Sequence, residues 1–404
     1  MAKNRWVWGG AVALWLTGAV CLTAAGLAQA TSADNARTVR IAVFNVWELG
    51  ANKIDIVDSE GHGAHPQLLA AAEVIRLVRP DVLLLNEIDY DPERDMARLF
   101  IERYLQPERA DGSPPIDYAH VFTGPVNTGV QSGYDLNNDG QFDGPDDGWG
   151  FGRYPGQYGM ALLSQWPLDV GAARTFRALR WIAMPGHLMP DGRAGRPEWY
   201  DAEEAALLRL SSKSFWDVAV ELPGLRLHVL ASHPTPPVFD GDEDRNGRRN
   251  YDEIRLVADY LHAGRRADWI VDDRGLRGGL DPAASAVVLG DLNADPVRET
   301  APPYGQAAIM QLLEHPRLKD PVQRSEGDLG EHPRRGPYPG DSRTRTSGFG
   351  RIDYALPTRD LDVVASGVFL PPEGDPARAL VTGDDRASDH LLVWLDIKLP
   401  VPPN

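Results

Sequence analysis

The sequence predicts a layered α/β protein, and three observations carry that reading. Short apolar runs bounded by turn residues recur along the chain, some of them, such as Val82–Leu85, are continuously apolar, and stretches of helical periodicity lie between them. Val39–Phe44 is the first such run and reads as a strand; Pro66–Val78 follows with helical spacing. Val82–Leu85 is Val-Leu-Leu-Leu, the pattern of a strand covered on both faces, and Pro92–Tyr104 is again helical. After a long interval come a short helix at Ala202–Leu210 and strands at Trp216–Val220 and Leu225–Ala231. In the last of these Leu225, Leu227 and Val229 alternate with Arg226 and His228, as in a half-buried strand. A helix at Asp252–Leu261 and strands at Ala286–Leu289, Ile352–Leu356 and Leu391–Ile397 complete the series. No repeat and no linker divides it, so 38–398 reads as one domain. The intervals Gly124–Tyr158 and Pro296–Gly350 are long and rich in Gly, Pro and Asp; such loops are usually functional or ordered by something such as a metal.

With 43% hydrophobic and 25% charged residues among 404, the composition is that of a globular protein and excludes disorder, collagen and coiled coil for the whole. Asp and Glu number 58 against 41 Lys and Arg, a net charge of -17. That balance argues against tight charge-driven binding to nucleic acid or anionic membrane, both polyanions. It leaves room for phosphate substrates if divalent cations sit between acidic side chains and substrate.

Residues 1–30 read as an export signal: Lys3 and Arg5, an apolar run from Trp6 to Leu27, then Ala28-Gln29-Ala30 with small residues where a signal peptidase reads. The expected location is therefore secreted or periplasmic, with an uncleaved anchor as the alternative. Cys21 is the only cysteine and falls inside this segment, and Val20 before it is not the small residue that a lipid anchor needs. The mature chain then has no disulfide and no thiolate chemistry.

Polar residues gather where these strands end or begin. Asn45 closes the first strand, Asn86-Glu87 the second, Ser232-His233 the fourth, and Asp291-Leu-Asn293 the fifth; Asp353 lies at the start of the sixth and Asp389-His390 just before the seventh. A strand that merely ends at a polar loop explains any one of these. Six places with this selection of Asn, Glu, Asp and His point instead to one sheet edge equipped for metal, phosphate or proton chemistry.

Phe44-Asn45-Val-Trp, Asn86-Glu87, Ser232-His233-Pro-Thr, Gly290-Asp291-Leu-Asn293-Ala-Asp-Pro, Arg351-Ile-Asp353-Tyr and Ser388-Asp389-His390 occur in the order of the endonuclease/exonuclease/phosphatase superfamily, which the chain resembles over about 38–398. Gln157-Tyr158-Gly-Met-Ala-Leu-Leu-Ser164 resembles the segment that places a tyrosine near the phosphate. The resemblance implies an α+β fold, the four-layer αββα sandwich of deoxyribonuclease I, with the site at one end of two packed sheets. It implies a metal set of Asn45, Glu87 and Asp389 for Mg²⁺ or Mn²⁺, whose hard character suits oxygen donors. It also implies His390 beside the attacking water or the scissile phosphate and oriented by Asp353, Asp291 as nucleophile activator or leaving-group partner, Asn293 and Tyr158 on the phosphate, and His233 as donor to a phosphate or leaving oxygen. Which of His233, His390 and Asp291 is acid or base stays open. One departure stands out: members similar to exonuclease III carry an acid two residues after the first asparagine, where this chain has Trp47. With His233, that favours the deoxyribonuclease, sphingomyelinase and phosphatase branches.

Two acidic loops have calcium spacing. Asp135, Asn137, Asp139, Gln141, Asp143 and Asp146 surround Gly140 at the sixth position, where a calcium loop turns sharply. Asp242–Glu253 matches too, but Arg248 and Arg249 interrupt it, so calcium and contact with substrate phosphate are both open there. His62 and His65 read as a surface loop. Trp149, Phe151, Tyr154 and Tyr158 read either as a surface that stacks on a base or lipid or as packing within their Gly-rich loop. The leading expectation is an exported, divalent-metal-dependent phosphodiesterase acting on nucleic acid. The alternatives are a phospholipid or sugar-phosphate esterase, and a calcium-stabilised binding module without catalysis. No obligate protein partner is expected.

Overall fold

Two mixed sheets face each other, with helices on their outer sides. The computed structural model describes residues 37–109, 112–190, 199–297, 305–332 and 335–400; the export signal and Cys21 lie outside the described residues. These belong to one compact unit, Ala36–Asn404. The strands are β1 (Thr38–Leu49), β2 (Val82–Ile88), β3 (His120–Thr123), β4 (Met160–Ser164), β5 (Arg174–Thr175), β6 (Phe215–Leu222), β7 (Leu225–Ser232), β8 (Ser285–Asp291), β9 (Asp353–Pro357), β10 (Asp362–Val368) and β11 (Val393–Lys398). They form one sheet in the order β10-β11-β1-β2-β4-β3 and a second in the order β5-β6-β7-β8-β9.

Each sheet holds one parallel pair, β1 with β2 and β7 with β8, among antiparallel neighbours. A parallel pair needs a crossover, and each crossover here carries a helix, Pro66–Val78 in the first sheet and Arg245–His262 in the second. The first begins with proline at its first turn, where no amide partner is lost, and ends at Arg79 in the left-handed region before Pro80. Its Leu68, Ala71, Ile75 and Val78 share one buried stripe.

Alternation along β8 shows how the layers form. Val287 and Leu289 join the core between the sheets, with Val218, Val220 and Val229. Ala286 and Val288 face the other way, into a core with Ile254, Val257 and Leu261 of the crossover helix. Trp216 on β6 is fully buried and meets Phe122 of β3 edge-on, with centroids 5.0 Å apart. The expected sandwich is thus the observed one. No helix among the described residues is long and apolar enough to cross a membrane.

The differences from expectation are local. Four strands lay outside the predicted set: β3, β4, β5 and β10. β10 is an edge strand, largely exposed and with a shifted register between Val363 and Ala365, so it lacks an apolar signature. The helix expected at Pro92–Tyr104 begins only at Met96, where Asp95 accepts from the Arg98 amide, and runs on as a wider turn over Ile101–Leu105. The helix expected to reach Leu210 ends at Leu207, because Trp181 and Leu208, and Leu210 and Leu179, pair through their backbones.

The largest correction concerns Asp242–Glu253, which is neither a calcium loop nor a phosphate contact. The crossover helix starts at Arg245, seven residues before the expected Asp252, and consumes most of that segment. Arg249 is half-buried and donates to the carbonyls of Leu210, Trp149 and Arg209 at 2.9, 2.5 and 2.8 Å, while Arg248 reaches that of Leu188. Glu253 accepts from the amides of Ser212 and Thr235 at 2.7 and 2.6 Å. These side chains fasten loops to the helix.

Candidate active site

The site arises where the ends of the central strands meet. In the first sheet Asn45 lies opposite Asn86 in the parallel register, and Glu87 follows. In the second, Asp291 lies opposite Asp353, and His233 is the residue after β7. Asn45 ties the sheets together: its Nδ2 donates to Glu87 Oε1 and to Asp291 Oδ2, both at 3.0 Å. The Asp291 amide donates to Asn86 Oδ1, also at 3.0 Å.

Asp291 Oδ2 is the focus. His233 Nε2 lies 3.5 Å from it and His390 Nε2 3.7 Å. His390 arrives on the segment before β11, bridged to Ser347, with its amide donating to Ser388 Oγ at 3.0 Å. Its Nδ1 faces Asp353 Oδ2 at 2.8 Å, and Thr346 Oγ1 accepts from the Asp353 amide. Asn293 donates its amide to Asp291 Oδ1 at 3.0 Å and its Nδ2 to the Pro234 carbonyl at 3.2 Å. Tyr158 donates its hydroxyl to Glu48 Oε1 at 2.9 Å.

The backbone is strained here. Trp47, Glu48, Glu87, Tyr158 and Asn293 all have φ between 51° and 62°, a region that costs a side-chain-bearing residue about 1 kcal/mol or more. Amide bonds hold them: Trp47 to Asn45 Oδ1, Glu48 to Glu87 Oε2, and Asn293 to Asp291 Oδ1. Gly156 (φ +90°) brings the Tyr158 loop against the end of β2, where a Cβ would stand 1.9 Å from the Tyr90 carbonyl.

Electrostatics follow from burial. Asp291 is pushed up to about 7 by desolvation, with Asp353 and Glu87 adding to the shift and His390 and Asn45 opposing it. Desolvation raises Glu87 as well, against Asn45 and His390, with Asp389 reinforcing the rise. Burial alone would lower the His390 imidazole, but Asp353, Asp291 and Asp389 overturn that and hold it well above its ordinary value. His233 goes the other way, well below, because burial is joined by Lys213 and His390.

Among the described residues, the two groups of three acids or histidines whose ligand atoms lie within 4.8 Å of one another are Glu87, His233 and Asp291, and Asp291, Asp353 and His390. Buried carboxylates with raised protonation, hard oxygen donors and two imidazoles make a chemistry that a divalent cation fits. The grouping differs from the expected Asn45, Glu87 and Asp389. The Asn45 oxygen accepts from the Trp47 amide, so Asn45 presents its nitrogen to the carboxylates. Asp389 is in neither group, though its charge is felt at Glu87 and His390.

Three residues at the site, Glu48, Lys213 and Thr346, escaped the sequence reading, and Asn86 was legible there without its role. Glu48 is one: strand alternation puts residue 47 on the face of Asn45, but left-handed backbone at 47 and 48 breaks the alternation and turns Glu48 toward Glu87 and Tyr158. Lys213 is buried, its Nζ 3.4 Å from the Pro234 carbonyl, and nothing in Ser-Ser-Lys-Ser marks it as interior. Asn86 and Thr346 act through single hydrogen bonds that no pattern announces.

The Asp135–Asp146 loop is bonded largely within itself. Asp135 accepts from the amides of Asp139 and Gly140 at 3.0 and 2.8 Å, Asn137 Oδ1 accepts from the Asp139 amide, and Asp139 Oδ1 accepts from the Gln141 amide. Asp146 lies 3.7 Å from Arg245. Asp147 is the buried acid, bonded to the amides of Leu136 and Gly144. Neither of the two ligand groups includes this loop.

A model of the Endonuclease/Exonuclease/phosphatase family matches residues 42–390. No curated protein matches the chain. Among solved structures, an endonuclease/exonuclease/phosphatase from Beutenbergia cavernae is 23% identical with a TM-score of 0.50, over 91% of this chain and 73% of that one. Sphingomyelinase C from Streptomyces griseocarneus is 14% identical with a TM-score of 0.41, over 89% and 99%. The human Nocturnin catalytic domain is 13% identical with a TM-score of 0.44, over 90% and 94%.

Proposed function

The chain belongs to the Endonuclease/Exonuclease/phosphatase family, and from that premise we propose that it is an exported, divalent-metal-dependent phosphodiesterase that uses water as nucleophile. That it is a hydrolase of phosphate esters follows from the family; the diester, the export and the metal are the proposal. The observation that carries it is the convergence of Asn45 Nδ2, His233 Nε2 and His390 Nε2 on one oxygen of Asp291.

In-line displacement forms a bond from water oxygen to phosphorus and breaks the bond to the leaving oxygen, with charge accumulating on the equatorial oxygens. Asp291 has its carboxyl set near neutrality, the value that suits a group taking a proton from water at ordinary pH. His390 keeps one N–H on Asp353 and presents the other toward the site, a donor for a phosphoryl oxygen. His233, kept neutral by burial, and Asn293 complete the donors around the phosphate. A Mg²⁺ or Mn²⁺ held by Glu87 and Asp291, with Asn45 and Asp389 at hand, would neutralise phosphoryl charge.

The test uses protein lacking residues 1–30. It should hydrolyse bis(p-nitrophenyl) phosphate with Mg²⁺ or Mn²⁺ and stop on chelation; metal-independent turnover would sink the reading. Parallel assays on DNA, RNA, sphingomyelin and inositol phosphates separate the nuclease reading from the lipid and sugar-phosphate ones. Recovery of the protein from the exported fraction of the cell tests the role of residues 1–30.

Calcium at Asp135–Asp146 belongs to the same proposal, supported by the spacing and by Gly140 at φ +85° in the sixth position. An ion bound only to the folded state adds stability by mass action. Calcium should raise the melting temperature of wild type and of Glu87→Ala, and leave Asp135→Ala/Asp139→Ala unmoved. A full rise in the double variant would reduce the loop to an acidic turn.

A further inference from the structure

Trp47 stands where some relatives of this fold carry an acid, and the structure surrounds it with cations. Its ring is partly exposed, with Lys53 Nζ 5.5 Å and the Arg386 guanidinium 5.2 Å from its centroid. Trp47 is two residues beyond Asn45 and Arg386 four before His390, and Lys53 is within reach of the charges of Glu87 and Asp389. The two segments are locked together by buried Gln67, whose Nε2 donates to the Val46 carbonyl at 2.9 Å and to that of Ala387 at 2.5 Å. Lys53 is fixed by its own bond to the Trp47 carbonyl, at 2.5 Å.

The two cations differ in employment. Lys53 feels Glu48, Glu87, Asp389 and Asp89, so part of its charge balances acids of the centre. The Arg386 side chain makes no hydrogen bond or ion pair among the described residues, although Asp384 and Asp385 precede it. Arginines elsewhere, such as Arg40, Arg174, Arg249 and Arg351, are tied to carboxylates or carbonyls. A half-exposed guanidinium held in place by an indole, with its donors unspent, is a pre-organised receptor for an oxyanion.

We propose that Lys53 and Arg386, arranged around Trp47, form a second anion subsite beside the scissile-phosphate centre, which selects substrates bearing another phosphate next to the bond cleaved. The inference rests on the phosphoesterase reading of the Asp291 centre. It distinguishes substrate classes that the centre alone does not. A polynucleotide or a polyphosphorylated sugar brings a second phosphate to Arg386. A phosphocholine headgroup brings a quaternary ammonium, which needs free aromatic faces, and here it would meet an indole already attended by two cations.

The experiment measures KM for a thymidine dinucleotide with and without a terminal phosphate, at the 5′ or 3′ end, in wild type, Arg386→Gln and Arg386→Lys. One terminally phosphorylated form should have a KM about tenfold below the unphosphorylated one in wild type, the equivalent of about 1.4 kcal/mol. That ratio should collapse to near unity in Arg386→Gln and return in part in Arg386→Lys. A variant that is merely misfolded lowers turnover of both dinucleotides and keeps the ratio. A wild-type ratio of unity at both ends, or a ratio unchanged in an Arg386→Gln protein with the wild-type circular dichroism spectrum, overturns the subsite. Titration of inorganic pyrophosphate into wild type and Arg386→Gln reads the subsite without turnover. Tighter binding by wild type in a protein that cleaves no diester upholds the subsite while the phosphoesterase reading fails.

Discussion

Asp291→Asn should lower kcat on bis(p-nitrophenyl) phosphate by about 10³-fold, within the range of lost general acid–base catalysis, while the protein stays folded. The carboxylate has two jobs that an amide cannot share. Oδ1 accepts from the Asn293 amide and Oδ2 faces Asn45 Nδ2, His233 Nε2 and His390 Nε2. An asparagine offers one acceptor and one donor, so whichever way it turns, one of these partners meets an N–H group. It also loses the group poised near neutrality to take a proton from water. The fold should survive, because the Asp291 amide keeps its bond to Asn86 and the β8–β9 register does not depend on the side chain. Activity within about tenfold of wild type at saturating metal, with an unchanged circular dichroism spectrum, would remove Asp291 from the chemistry.

The residues that meet at the site were legible because their backbones end at strand edges. Asn45, Glu87, His233, Asp291 and Asp353 each follow or open a strong apolar run, and the sheet registers carry them to one end of the sandwich. The central strands were legible for the same reason: burial on both faces leaves a continuous apolar signature. Edge strands such as β10 have no such signature. What stayed hidden was conformational. Nothing in Trp47-Glu48 announces two left-handed residues, so the acid that reaches Glu87 was sought one position too early. The acidic pattern from Asp242 looked like a calcium loop because its residues have the right spacing. Helix formation from Arg245 won because it buries Ile254, Leu256 and Val257 against the second sheet and satisfies Arg249 on three carbonyls.

Without metal, stability should fall as pH rises from about 6.5 to about 8, and Mg²⁺ or Mn²⁺ should flatten that fall. The sign comes from three groups whose folded-state values are raised. Asp291, at about 7 against an ordinary 3.8, binds a proton in the folded chain that the unfolded chain has already released, so rising pH penalises the fold until the carboxyl ionises. Glu87 acts in the same direction. His390, raised above 6.5 by Asp353 and Asp291, contributes stability that is full below its unfolded value and is lost as pH climbs through the folded one. His233 opposes them: its lowered value makes the fold gain as pH rises through 6.5, a gain that fades once the unfolded imidazole has released its proton about one pH unit higher. Three raised groups against one lowered leave the descending limb dominant above 6.5. Its size is on the order of a few kcal/mol, since a tenfold change in the proton affinity of a buried group corresponds to about 1.4 kcal/mol. A divalent cation reverses the logic by stabilising the ionised carboxylates, so the metal-bound protein should hold its melting temperature across the same range. The control is Asp291→Asn, which should show a shallower fall without metal because one of the contributors is gone. Melting temperatures from about pH 6.5 to 8 with and without chelator read all three curves. A metal-free wild type that is flat or rises over that range would mean the carboxylates are ionised without a cation, and the electrostatic account of the centre would fail.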